Sequence, residues 1–264
     1  MALLNCLFIP APYPSSMLQA GFLLLVAVSV MATSFISGVF GMAGGMVLMG
    51  ILVAMMPVSA AMVLHGAAQL TANGWRALLW RGHIHWRIVG RFLIGLLLAG
   101  LTFYFVGFIP DRALVLITLG LTPFLAVIIP RRHVPQVTDR GGAQLCGFLN
   151  TSMQFVAGVS GPLLDVFFLR TDMDRRAVVA TKAACQATAH LAKLVYFSHA
   201  LSAGTAISVE LLGLTIVMAM AGTSLSKLVL ERLSDHQFRR WTQILVIAIG
   251  SVYLAQGLYL LLTR

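Results

Sequence analysis

Ser37-Gly38-Val39-Phe40-Gly41-Met42-Ala43-Gly44-Gly45 cuts into an apolar stretch that runs from about residue 17 to 57. That stretch is too long for one membrane span of ~20 residues. The glycines divide it into two helical arms. Gly158-Val159-Ser160-Gly161-Pro162 does the same to the stretch 143–169. Further apolar runs cover roughly 59–80, 88–109, 112–130, 175–198, 205–231 and 240–262.

Composition agrees with the runs. Of 264 residues, 59% are hydrophobic and 10% are charged. An average soluble domain carries about 25% charged residues, so a water-facing surface of this size cannot be covered. Mean hydropathy is +0.92. Soluble globular and disordered chains are excluded, and the long unbroken runs argue against the alternation of a β-barrel. The fold expected is an all-α integral membrane protein, whose helices satisfy their own backbone hydrogen bonds. Cys6, Cys146 and Cys185 have no paired spacing, so no disulfide framework, no metal site and no cofactor are expected. No basic region precedes the first apolar residues, and no cleavable signal peptide is read there.

The net charge of +10 is distributed in loops rather than as a nucleic-acid patch. Arg81, Arg87 and Arg91 flank one connection, and Arg131, Arg132 and Arg140 lie in another. Arg170, Arg175 and Arg176 mark a third, and Arg232, Arg239 and Arg240 a fourth. The connections at 109–112 and 199–205 carry almost no positive charge. Under the positive-inside rule the four basic loops face the cytoplasm. The chain then threads consistently if 143–169 leaves and returns inside, and 17–57 starts and ends outside. The expected architecture is two inverted-topology repeats, each a broken or re-entrant hairpin plus three transmembrane helices. A segment 1–16 precedes the first repeat, 17–130, and a basic linker, 131–142, precedes the second, 143–264.

Internal matches point to duplication. Gly38-Val39-Phe40-Gly41 resembles Gly158-Val159-Ser160-Gly161 at an offset of 120, and Ala67–Asn73 resembles Ala184–His190 at an offset of 117. His65, Gln69, Asn73 and Arg76 share one helical face, as do Lys182, Gln186, His190 and Lys193. Lys182 stands about eight residues into its span, ~12 Å deep, where a cation is expensive in lipid. Arg76 and Lys193 lie near span ends and are read as snorkelling anchors. Pro162 suits a helix start with Ser160 or Gly161 as cap. The arms beginning near Met42 and Pro162 would then aim positive dipole ends at the membrane middle, a setting for an anion.

The substrate ligands expected are backbone amides at Gly41, Gly44, Gly45, Ser160 and Gly161, charge from Lys182 and His65, and hydrogen bonds from Gln69, Thr71, Gln186 and Thr188. Asp165, as a partner of Lys182 or a proton carrier, and His190 are candidates for ion coupling, with H+ or Na+ as the ion. The partners are thus a small anion and the lipid bilayer, with a homodimer as a candidate assembly. Gly158-Val159-Ser160-Gly161 also has the form seen in rhomboid-like intramembrane serine hydrolases, with Ser160 as nucleophile. The first-half copy has Phe40 at that position, which favours a duplicated helix break. A passive anion channel is the other alternative.

The chain resembles the TauE/SafE family of sulfite and organosulfur anion exporters. The resemblance rests on the break Ser37–Gly45, the loop Trp80-Arg81-Gly82-His83-Ile84-His85-Trp86 and the second hairpin with Gly161-Pro162. It implies a bacterial inner-membrane permease of two inverted repeats that moves sulfite, sulfoacetate or a related anion outward, with no enzymatic chemistry.

Overall fold

The computed structural model describes residues 16–40, 43–128, 134–169, 171–201, 207–230 and 235–263. They form ten α-helices and no strand among the described residues. The helices are α1 (Ser16–Phe40), α2 (Ala43–Met55), α3 (Val58–Leu79), α4 (Trp86–Val106) and α5 (Arg112–Ile128). They continue with α6 (Gly142–Ala157), α7 (Gly161–Phe168), α8 (Arg175–Ser198), α9 (Val209–Leu230) and α10 (Asp235–Leu262).

Among the described residues, four helices contain segments long and apolar enough to cross a membrane: Ala20–Val39, Trp86–Val106, Val209–Ser226 and Gln243–Leu262. They expose rows of large apolar side chains, such as Leu97, Leu101 and Tyr104 on α4 and Leu258 and Tyr259 on α10. In water such surfaces would be untenable; in lipid they are the outer wall. The chain is a multi-pass membrane protein.

Both long apolar stretches are divided as their glycines predict, into α1 and α2 and into α6 and α7. The second arms are short. With 13 residues, α2 extends ~20 Å, and with eight, α7 extends ~12 Å. Gly38 does not belong to the first break: it lies inside α1, where an added Cβ would collide with Ser226 of α9. The start of α7 follows that of α2 by 118 residues, and α8 follows α3 by 117. The second sequence match therefore gives the structural register, and the match at 120 is displaced by two residues.

The polar helices α3 and α8 pack on each other and are shielded by the rest. Exchanging α1–α5 for α6–α10 carries the pair α1·α9 onto α6·α4, α3·α9 onto α8·α4, and α2·α10 onto α7·α5. The pairs α3·α8 and α5·α10 map onto themselves. Glycine permits the closest approach in α5·α10. A Cβ on Gly120 would sit 2.7 Å from the Gly250 carbonyl oxygen, and one on Gly250 2.9 Å from that of Gly120. Small residues at such contacts replace the hydrophobic driving force that lipid does not supply.

Candidate functional site

The site is built where the two breaks meet the α3·α8 pair. Gly158 ends α6 in the left-handed conformation, φ 77°, which favours glycine. A Cβ there would also run into the Met49 thioether of α2. Gly44 brings α2 against α1, because its Cβ would collide with the Thr33 carbonyl. Neither contact depends on a ligand, so both positions have a packing role.

Lys193 is at the centre of this junction. It is 0% exposed, and its Nζ donates to the Gly158 carbonyl at 2.8 Å and to His65 Nδ1 at 2.7 Å. His65 Nε2 in turn lies 2.9 Å from the Gly45 carbonyl oxygen. A carbonyl only accepts, so Nε2 carries the ring hydrogen and Nδ1 is left to accept from Lys193. A single chain of hydrogen bonds thus joins the carbonyl end of α6 to the first turn of α2 through α8 and α3. The Lys193 Nζ also stands at the negative dipole end of α6, which favours its protonated form. No carboxylate is within ion-pair distance of it among the described residues. The snorkelling role expected of Lys193 is therefore wrong. Its distance from the end of α8 places it near a helix terminus, but Gly158 and Phe155 of the second hairpin, with Phe103 of α4 and His65 of α3, pack over that terminus.

Arg76, its counterpart on α3, is half-buried and donates to the Ser37 carbonyl at 3.4 Å, near the carbonyl end of α1. Each first arm thus receives a cation from the long helix of its own half. Lys182 is half-exposed and bound to Asp165 of α7, at 27% and 30% side-chain exposure. The pairing of these two residues that the sequence suggested is present. It leaves Lys182 without the free buried charge expected of an anion ligand.

Several buried amides are incompletely bonded. Gln69 Oε1 accepts from Asn73 Nδ2 at 3.4 Å, which assigns the outward nitrogen, and Nε2 has no partner. The Gln69 side chain faces Gly45 at the start of α2. Asn150 Oδ1 accepts from Ser160 Oγ at 2.7 Å, and its Nδ2 has no partner. Gln154 Nε2 donates to Gln186 Oε1 at 2.8 Å, leaving Gln154 Oε1 free. His190 packs against His65, ring centroids 5.6 Å apart, and its Nδ1 is unpartnered. A buried amide N–H without an acceptor costs ~1–3 kcal/mol, and an oxyanion entering here would supply the missing acceptors.

The remaining expected ligands are placed less favourably. Thr71 and Thr188 spend their hydroxyl hydrogens on the carbonyls of Ala67 and Cys185 in their own helices. Ser160 is the N-cap residue of α7 but makes no capping bond with its side chain, because its hydroxyl turns to Asn150. Gly161 is the first residue of α7. Gly41 lies outside the described residues. Asn150 and Gln154 were not singled out from the sequence. Their spacing of four in an apolar arm, the same as that of Gln186 and His190, is the signal that marks them.

A cleft of about 310 Å³ opens elsewhere, between α5, α6 and α7, lined by Thr122, Leu125, Met153 and Leu163 among others. Its walls are almost wholly apolar, which suits lipid rather than a charged solute.

A family model described as Sulfite exporter TauE/SafE matches residues 25–253. No curated protein and no solved structure matches the chain. The match spans both broken hairpins and the whole α3·α8 pair, and the chain belongs to the TauE/SafE sulfite exporter family of membrane transporters.

Proposed function

We propose that the protein exports a small anion, sulfite or an organosulfonate, by alternating access around a site near the bilayer midplane. The supporting observation is Lys193. It is a fully buried lysine with no carboxylate in reach among the described residues, bonded to Gly158 and His65, and the buried amide nitrogens of Gln69 and Asn150 on α3 and α6 also lack acceptors. Burying a charge without a counter-charge is costly, and a substrate oxyanion meets that need while accepting from both amides. The helix starts at Ala43 and Gly161 add positive dipole ends inside the membrane. Packing that survives the exchange of the two halves suits a rocking motion of one half against the other. In this reading the basic loops face the cytoplasm across a bacterial inner membrane, and a proton or sodium gradient drives export. His190 and the Lys182–Asp165 pair are the candidates for handling the coupling ion.

Hydrolysis at Ser160 is the weaker alternative, since the Ser160 hydroxyl donates to an amide oxygen rather than to a base. Proteoliposomes tested with sulfite, sulfoacetate, thiosulfate and sulfate under imposed proton or sodium gradients decide the matter. Uphill accumulation of sulfite or sulfoacetate is the expected result. Flux of these anions that runs only downhill would make the protein a channel. Cleavage of a model membrane substrate, lost in Ser160→Ala, would make it a hydrolase.

A further inference from the structure

The two ends of the α3·α8 pair differ in a way their sequence symmetry does not. An offset of 117 carries His65 onto Lys182 and Arg76 onto Lys193. At one end Lys193 and His65 are bonded across the two helices and fully buried. One turn beyond them, Met62 and Phe197 are also 0% exposed. At the other end stand Arg76 and Lys182, both only donors, which cannot bond each other. There Lys182 and Asp165 are part-exposed, at 27% and 30% of their side chains. That open end is next to the loop bearing Arg81 and Arg87, and the bonded end is away from it.

We infer that the Lys193–His65 bond is a seal closing the transport path on the side away from the basic loops, and that it opens in each transport cycle. The inference rests on the alternating-access reading above. The seal is placed to act on both hairpins at once. His65 holds the Gly45 carbonyl of α2, and Lys193 holds the Gly158 carbonyl that ends α6. Separating α3 from α8 at this end breaks one bond, 2.7 Å long, and leaves each hairpin attached to its own long helix. Hydrogen bonds of this kind are discrete, so the contact has a made and a broken state rather than a continuum. An oxyanion bound beside Lys193 gives its ammonium a substitute for His65, which links loading of the site to release of the seal. His65 thereby acts as a positioning residue, and Lys193 both meets the anion and holds the arm that frames it.

Two measurements test the seal, in a background in which Cys6, Cys146 and Cys185 are replaced by alanine. Met62→Cys reports access from the sealed side to a membrane-impermeant maleimide, with Ile109→Cys as the control for orientation. Labelling of Met62→Cys is expected to be slow. It should rise at least tenfold when Lys193→Met is added, and likewise with His65→Leu, which keeps the lysine should its loss prevent folding. Unchanged labelling in the folded variants overturns the seal.

The second measurement uses Gly66 and Leu194, neither of which holds the anion. A Cβ on Gly66 would lie 3.3 Å from that of Leu194, close to the ~3.5–4.5 Å of a disulfide. Oxidised Gly66→Cys/Leu194→Cys should stop sulfoacetate efflux and recover it on reduction. Sulfoacetate is the probe because sulfite cleaves disulfides and consumes maleimide. Full efflux through the oxidised protein overturns the seal. A reduced protein that carries no sulfoacetate, with labelling responding as described, defeats the anion reading and leaves the seal standing.

Discussion

Lys193 Nζ lies 2.7 Å from His65 Nδ1 across 128 residues of sequence, and this contact joins the two broken hairpins. It also separates the two lysines of α8. Lys182 is part-exposed and has a carboxylate, Asp165; Lys193 is fully buried and has a carbonyl and an imidazole. An anion gains more from the second.

Lys193→Met should therefore weaken sulfite binding more than Lys182→Met. A charge-assisted hydrogen bond contributes ~1.5–3 kcal/mol, so the loss at Lys193 is about tenfold to a hundredfold. Saturation of sulfite flux in proteoliposomes measures it. Equal losses in the two variants would remove the distinction between the lysines.

Ser160→Ala should leave transport within a few-fold of native. The substitution deprives the buried Asn150 oxygen of its donor, a loss of ~1–3 kcal/mol in stability. Thermal unfolding in detergent should show the destabilisation while flux persists. Loss of flux in a protein as stable as the native one would assign Ser160 to the substrate.

Asp174 lies outside the membrane spans and caps α8, accepting from the backbone N–H groups of Arg176 and Ala177. The bond from Ala177 is the main cause that holds its carboxyl below the usual range. A carboxyl lowered on folding stabilises above its unfolded pKa, and that contribution disappears as pH falls through the folded value. Asp174→Ala should lower the melting temperature equally at pH 7 and pH 5. The gap to the native protein should close below about pH 4. A gap that persists undiminished in acid would show that the carboxylate is not its source.

Gly120→Ala should loosen the α5·α10 pair, because the new methyl would sit 2.7 Å from the Gly250 carbonyl oxygen and 2.8 Å from the Leu254 backbone nitrogen. Overpacking of this kind costs ~1–3 kcal/mol, which a melting curve reads directly. An unchanged melt would mean that the two helices do not meet at these glycines.

Much of the architecture was legible in the chain. Long apolar runs become helices because lipid offers no partner to a free backbone group, and runs too long for one span are divided at their glycines, although Gly38, Gly44 and Gly45 lie within the flanking helices. The polar spacing of Gln69 and Gln186 on two comparable helices predicts one shared face, and both side chains are buried. The Asp165–Lys182 pair was anticipated because so few carboxylates lie within the apolar segments.

The choice between Lys182 and Lys193 belonged to the tertiary structure. They are 11 residues apart, about three helical turns, so they share a face, and position along the span, the one local difference between them, favours Lys182. Burial depends on what other segments fold against each position. The α6–α7 break and His65 of α3 lie against Lys193, while the Lys182 end is part-exposed. Charge, apolar length and glycine placement are local properties that the sequence carries in full. Water exclusion and the pairing of donors with acceptors arise between distant segments, and only the packed helices decide them.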